Sequence, residues 1–164
     1  MKVKLADQSV IIQAPRPLVF QMFTSFDREI PSEGTDRQSE RSRPSETGEG
    51  AKVVEREGNR LLVEFTSRYG RKLYRTLEKV RLYPDDRITF QHLKGPLHHA
   101  TEEFRLEVVP KGTRITYQGR IECRMPFLPG IGWLVALLYV RPKYGSLVQR
   151  HMGLLKKAAE SLAP

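Results

Sequence analysis

The chain has 164 residues, 39% of them hydrophobic and 29% charged, with a formal net charge of +9 at pH 7. That length suits one domain able to bury about two-thirds of its unfolded surface, and the balance is that of an ordinary soluble globule. The lone Cys123 excludes an intramolecular disulfide and fits a reducing compartment. The opening MKVKLADQSV lacks the apolar core of a secretory signal, so the expected location is the cytoplasm. The basic excess is compatible with nucleic acid, an anionic membrane or an acidic ligand, and with solubility alone, which is the first expectation. Its members, among them Arg56, Arg60, Arg68, Arg71, Lys72, Arg75, Lys79, Arg81 and Arg87, are spread over strands and turns. No basic block, zinc-finger spacing or RNP-type aromatic motif accompanies them, so no nucleic-acid partner is expected.

Residues 9–14 read as a short strand that ends at Ala14-Pro15, since proline disfavours a helical residue before it. Pro15 and Pro17 suit a helix's first turn. Val19, Met22, Phe23 and Phe26 follow at helical spacing on one face, with an expected end near Asp27. Residues 29–50 hold one apolar side chain among Ser, Glu, Arg, Gly and Pro, which predicts a polar surface loop or disordered segment over about 32–50, with room for a second short helix near its start, so one or two short helices follow the first strand. Strands are then expected at 52–57, 60–68, 72–82, 87–94, 99–109 and 113–125, parted by Gly58-Asn59, Gly70, Pro84-Asp85-Asp86, Gly95-Pro96 and Pro110-Lys111-Gly112. With residues 9–14 that makes seven.

The segment 125–140 (MPFLPGIGWLVALLYV) carries no charge. It is too short and too interrupted by proline and glycine to span a bilayer. Its bland reading is a loop and the buried first half of a terminal helix. A sharper reading notes Arg120, Arg124, Arg141 and Lys143 around it and Trp133 and Tyr139 within it, a pattern suited to an anionic membrane surface. Pro142 should kink or split the helix. Beyond it Leu147/Val148, His151/Met152, Leu155, Ala158/Ala159 and Leu162 make an apolar stripe, with Arg150, Lys156, Lys157 and Glu160 facing water.

Alternation assigns the strand faces. Ile115, Tyr117, Gly119, Ile121 and Cys123 share the inner face of the last strand, and Glu102, Phe104, Leu106 and Val108 that of the strand before. Ile88, Phe90 and His92 follow, then Leu61, Val63, Phe65, Ser67 and Tyr69. For 72–82 the sets Tyr74/Thr76/Val80 and Leu73/Leu77 compete. Three polar groups therefore lie on an apolar face. Glu102, His92 and Tyr117 are the catalytic candidates, since a buried carboxylate rises in pKa and can serve as acid or base beside a histidine. The alternative places Glu102 and His92 at a wet, open end of the sheet, with Tyr117 orienting a ligand or meeting a backbone group. Cys123 reads as a small core hydrophobe. His98 and His99 are strand neighbours that point to opposite faces and so do not chelate one ion, and no metal and no cofactor are expected.

The order of elements, strand, proline-started helix, six meandering strands and a long terminal helix, resembles the START-like (SRPBCC, helix-grip) superfamily. This group includes the polyketide cyclase/dehydrase and lipid-transport proteins and the birch pollen allergen family. VIIQAPRPLVFQMF resembles its first strand, Ala-Pro and apolar helix. PDDRITFQHLKGP resembles the turn and strand that enter its central sheet, and VVPKGTRITYQGRI its Pro-x-Gly-Thr turn between the last two strands. The group usually has an aromatic-and-proline stretch after the first helix; here Phe26 to Pro31 runs into a polar loop instead. The resemblance implies an α+β fold of one domain over residues 1–164, a curved seven-stranded antiparallel sheet gripping the terminal helix. It further implies a hydrophobic small molecule or lipid as partner, and in some members cyclisation or dehydration. The expected cavity lining is Val63, Phe65, Tyr69, Ile88, Phe90, His92, Glu102, Phe104, Leu106, Ile115, Tyr117, Ile121, Trp133, Leu137, Val148 and Met152. Binding of such a molecule is the first reading. The rivals are a cyclase- or dehydratase-like enzyme using Glu102 and His92 as its acid/base pair, and a membrane-surface lipid-transfer module acting through the flanks of 125–140.

Overall fold

The computed structural model describes residues 2–26, 50–69, 71–95, 99–122 and 141–163. In chain order these form β1 (Lys2–Lys4), β2 (Gln8–Ile12), α1 (Arg16–Phe23), β3 (Gly50–Glu57), β4 (Arg60–Tyr69), β5 (Lys72–Tyr83), β6 (Arg87–Lys94), β7 (Thr101–Val109), β8 (Gly112–Glu122) and α2 (Arg141–Leu162). All strands pair antiparallel in one sheet of order β1-β8-β7-β6-β5-β4-β3, with β2 also pairing with β8. From β3 to β8 short connections join successive strands, so sequence neighbours become sheet neighbours. The chain is α+β, and the sheet with its terminal helix is the helix-grip arrangement.

The strand count differs from seven because the N-terminal edge ribbon is split. Lys4 pairs with Arg120 and Gln8 with Tyr117, so four steps on the edge oppose three on β8. The extra residue falls in Leu5–Asp7, where Leu5 N still donates to Gly119 O at 2.9 Å and Lys4 meets Asp7 at 3.1 Å. Such a bulge breaks the ladder and adds twist. Leu5 is buried under it.

Helix α1 begins after Pro15, with proline in its first turn and Val19 N donating to Pro15 O at 3.1 Å. It ends at Phe23, one turn earlier than expected, where the Thr24 hydroxyl donates back to Phe20 O at 2.8 Å. Val19 and Phe20 are buried, and Leu18, Met22, Phe23 and Phe26 pack against the core.

The principal partners of α2 are β2 and α1. Val148, Met152 and Ala159 are its buried stripe, with Leu155 packed beside them. Two expectations for this helix are corrected: His151 is exposed, one position off the stripe, and Leu162 is exposed at the last turn. Lys156 and Glu160 are also not simply solvated. Lys156 Nζ donates to Ile11 O at 2.7 Å and to Glu160 Oε1 at 2.6 Å, and Gln13 N donates to the same carboxylate oxygen at 3.0 Å. Those hydrogen bonds, the backbone one first, hold the Glu160 carboxyl below its usual range. The kink expected at Pro142 falls at the edge of the described residues, and the loop 32–49 and the segment 125–140 lie outside them. No described helix is long and apolar enough to cross a membrane.

The end of β2 is clamped where the chain turns into α1. Thr113 Oγ1, fully buried, donates to Ala14 O at 2.8 Å. Beside it Gly112 adopts φ 143°, and a Cβ there would strike Ile12 O, with Ala14 N and Gln13 Cα each at 3.0 Å. Only glycine meets both demands. Gly112→Ala should therefore lower stability by at least about 2 kcal/mol in urea unfolding; a change within 0.5 kcal/mol would show that the clamp is dispensable.

Candidate functional site

Four polar side chains converge on the inner face of β5 to β8. The register sets Glu78 opposite His92, Phe90 opposite Glu102 and Phe104 opposite Tyr117. Period-two alternation turns each of them inward. The ambiguous strand β5 resolves into the frame of Thr76 and Val80, with Glu78, Val80 and Leu82 buried and Leu73 and Tyr74 exposed. Next to Glu78 the ladder slips. Leu77 pairs with Lys94 and Glu78 with His92, so two steps on β6 oppose one on β5. Bulges re-aim side chains near such sites.

His92 Nε2 lies 3.0 Å from Glu102 Oε2 and 3.4 Å from Glu78 Oε1. Tyr117 OH donates to Glu102 Oε1 at 2.7 Å, and Thr76 Oγ1 donates to Glu78 Oε1 at 2.9 Å. His92 is 4% exposed and Glu102 8%, so the wet-end reading of these two residues is overturned. The backbone is tied in as well, with His92 N donating to Ala100 O at 2.9 Å. His92 Nδ1 is buried and has no hydrogen-bond partner among the described residues. Gly119 makes room for Tyr117: a Cβ there would strike its hydroxyl, with Leu5 Cδ1 at 2.8 Å and Tyr117 Cζ at 2.9 Å.

The electrostatics follow from burial. Desolvation pushes Glu78 up to about 7, helped by the Glu102 charge and opposed by His92 and Thr76. Desolvation works against protonated His92, but the hydrogen bond to Glu102 and the charges of Glu78 and Glu102 outweigh it, so its pKa rises. Tyr117 is pushed up first by burial, then by the Glu102 charge, and stays a neutral donor. Glu78 and His92 thus both hold their protons more tightly than in water.

A wall of rings adjoins it. Phe104 lies 5.0 Å from Tyr117, 5.7 Å from Phe90 and 4.7 Å from Phe23, and Phe26 meets Phe65 edge-on at 5.7 Å. Phe90 touches Phe23, Phe26 and Phe65, each at 6.2 Å. These spacings are those of favourable edge and tilted aromatic pairs. The helix and its C-terminal flank, through Phe23 and Phe26, therefore cover the inner face of β4, β6 and β7.

Of the expected lining, Val63, Ile88, Phe90, His92, Glu102, Phe104, Leu106, Ile115, Tyr117 and Ile121 are buried on the sheet, Phe65 packs against them, and Val148 and Met152 are buried on α2. Val108 shares the inward parity but is 70% exposed, because β7 outruns its cover there. Trp133, Leu137, Cys123 and His98 lie outside the described residues, as does the side chain of Tyr69. Sequence reasoning missed Glu78, although period two from Val80 points to it. It also missed Phe20. A groove of about 440 Å³ between β2 and α2 is lined by Gln8, Ser9, Val10, Gln149, Met152 and Gly153, and does not border the polar cluster.

No protein-family model and no curated protein sequence matches the chain. Solved structures do resemble it. A Thermus thermophilus protein is similar at TM-score 0.63 and 21% identity over 98% of this chain and 95% of its own. The Zhui aromatase/cyclase of a Streptomyces species is similar at 0.68 and 14% over 98% and 94%, and a START superfamily protein from Mycobacterium smegmatis at 0.67 and 14% over 98% and 100%. The di-domain ARO/CYC StfQ of the steffimycin pathway gives 0.76 at 15%, and the chain spans about half (52%) of its length. At these identities the likeness is one of fold, and that fold is START-like.

Both Glu78 and His92 have folded pKa values above their unfolded ones. Their contributions are complete below about 4.5 and 6.5 respectively, and are lost as pH rises through the folded values. For Glu78, a rise from 4.5 to about 7 corresponds to up to roughly 3 kcal/mol. Glu78→Gln removes this and part of the His92 shift, which has the same sign. In chelator-containing buffer the stability advantage of wild type over Glu78→Gln should shrink by about 2–3 kcal/mol between pH 5 and 8. A difference that stays constant in parallel urea titrations across that range would exclude the raised proton affinity of Glu78.

Proposed function

We propose that this chain binds a hydrophobic small molecule or lipid bearing a polar oxygen, in the space that the inner sheet face shares with α1 and the terminal helix. The observation that carries this is the unbroken run of rings from Phe65 to Tyr117, which ends on hydrogen-bonding groups. Apolar walls with a few convergent polar groups are the usual make-up of small-molecule sites. The wall would supply affinity at about 25 cal/mol per Å² of apolar surface buried, less the costs of association. Tyr117, His92 and Glu102 would fix orientation. The START-like fold supports the reading, since structures of this shape include aromatase/cyclases.

Native mass spectrometry of freshly purified protein should show a stoichiometric apolar companion, or the apo protein should take up an environment-sensitive apolar dye at one equivalent. Phe90→Ala should weaken dye binding about tenfold, in line with loss of one well-packed ring. A clean apo mass together with dye binding unaffected by Phe90→Ala would remove the proposal.

One observation favours a second, enzymatic reading. His92 Nε2 stands between two carboxylates, with a phenol on the far oxygen of one of them. Such a set can take a proton from one ligand atom and return it to another, as cyclisation and dehydration both require. Glu102→Gln separates the readings. An enzyme would lose at least about a hundredfold in turnover with ligand affinity held within threefold; a carrier would show no turnover to lose.

A further inference from the structure

We infer that Glu78, His92 and Glu102 form a binding site for one divalent transition-metal ion of the zinc or cobalt type. The inference goes beyond ligand binding and stands without it. The expectation of no metal came from neighbours in sequence, His98 and His99, whereas these three residues are 14 and 10 positions apart and meet only across β5, β6 and β7.

Both separations from His92 are those of atoms that share an ion. Metal–nitrogen and metal–oxygen bonds of about 2.1 Å place neighbouring donors roughly 3.0 Å apart at a right angle and 3.4 Å apart at the tetrahedral angle. The observed pairs are 3.0 Å for His92 Nε2 with Glu102 Oε2 and 3.4 Å for His92 Nε2 with Glu78 Oε1, and all three donors lie within 4.8 Å of one another. One imidazole and two carboxylates are a mixed nitrogen–oxygen set, which suits first-row transition ions better than calcium or magnesium.

Two further features point the same way. First, a neutral imidazole has one N–H, and Nε2 has two carboxylate oxygens within 3.4 Å, so when both acids are ionised a single hydrogen cannot serve both. A dication between the three donors serves all of them and brings two buried carboxylates to electroneutrality. Second, outer partners for both carboxylates are already in place. Tyr117 OH holds Glu102 by its other oxygen, leaving Oε2 turned to His92, and Thr76 Oγ1 holds Glu78. Hydrogen bonds of this kind orient ligating side chains. Three protein donors leave a fourth position for water or a ligand oxygen, the pattern of a reactive rather than a purely structural centre. His92 Nδ1, the nitrogen left over, would carry the imidazole proton.

The test is titration of chelator-treated, untagged protein with Co²⁺. One equivalent should bind with visible d–d bands, and Zn²⁺ should displace it. At a hundredfold excess over Kd, Zn²⁺ should raise Tm by roughly 5 °C or more. Glu78→Gln and His92→Gln should each weaken Co²⁺ binding at least thirtyfold. A readout on wild type covers the event that these variants do not fold: of the four histidines, only the imidazole nitrogen resonances of His92 should shift with Zn²⁺. Absence of saturable one-equivalent binding, binding retained in both variants, or shifts confined to the other histidines would each overturn the site.

Discussion

A carboxyl group taken from water into a ring-lined sheet face loses solvation worth several kcal/mol when it ionises, and this chain buries two of them, Glu78 and Glu102. The rest of the inner face is organised around that loss. His92 is set between the two acids, Tyr117 and Thr76 each give a hydrogen bond to one of them, and the proton affinity of Glu78 rises to about 7. A leucine or valine at these positions would pack against Phe90 and Phe104 without any such cost. Retaining two acids and a base where apolar residues would pack without that cost is what makes the cluster the candidate site, since ionisable groups displaced from their ordinary pKa, as Glu78 and His92 are, concentrate at working sites.

The cluster is rigid because it lies wholly on strands. Its four residues come from β5, β6, β7 and β8, each flanked on both sides by a paired neighbour. Antiparallel pairing fixes the Cβ of each residue relative to the next strand to within the pleat. Fine adjustment comes from two local departures from regularity, the slip beside Glu78 and the missing side chain at Gly119, where the Tyr117 ring folds back over the strand. Hydrogen bonds of 2.7 and 3.0 Å onto one carboxylate need positioning of that quality.

Much of this was legible in the sequence. Strand order, the turns and the proline-started helix follow from local chemistry, which acts within a few residues. The inward placement of His92, Glu102 and Tyr117 follows from parity with Phe90, Phe104 and Ile115. What parity does not carry is depth. Val108 and Glu102 share a face, yet one is exposed and the other sealed, because cover comes from Phe23 and Phe26, far away in sequence. Glu78 was hidden for a different reason. In 72–82 an apolar residue occurs on both faces, so alternation had no clean phase until the bulge and the partner strand selected one. The split of the edge ribbon at Leu5–Asp7 turns on one extra residue opposite β8, a property of the pair and not of either strand. The stripe on α2 was read one residue too wide at His151, for the helix meets a narrow edge, β2 and α1, rather than the breadth of the sheet.

That narrow contact bears on how a ligand would reach the rings. The helix is attached by Val148, Met152 and Ala159 and by polar contacts at the rim, Gln8 Nε2 to Gly145 O at 2.8 Å and Lys156 and Glu160 to the β2 backbone. Elements held by few buried apolar contacts and by solvent-exposed hydrogen bonds open at lower free energy than the core. Movement of α2 against β2 would therefore change access to the inner face while the cluster, secured between paired strands, keeps its geometry. On the proposed reading, binding and chemistry would rest on different supports: the terminal helix, and a sheet whose paired strands bring two acids and a histidine together.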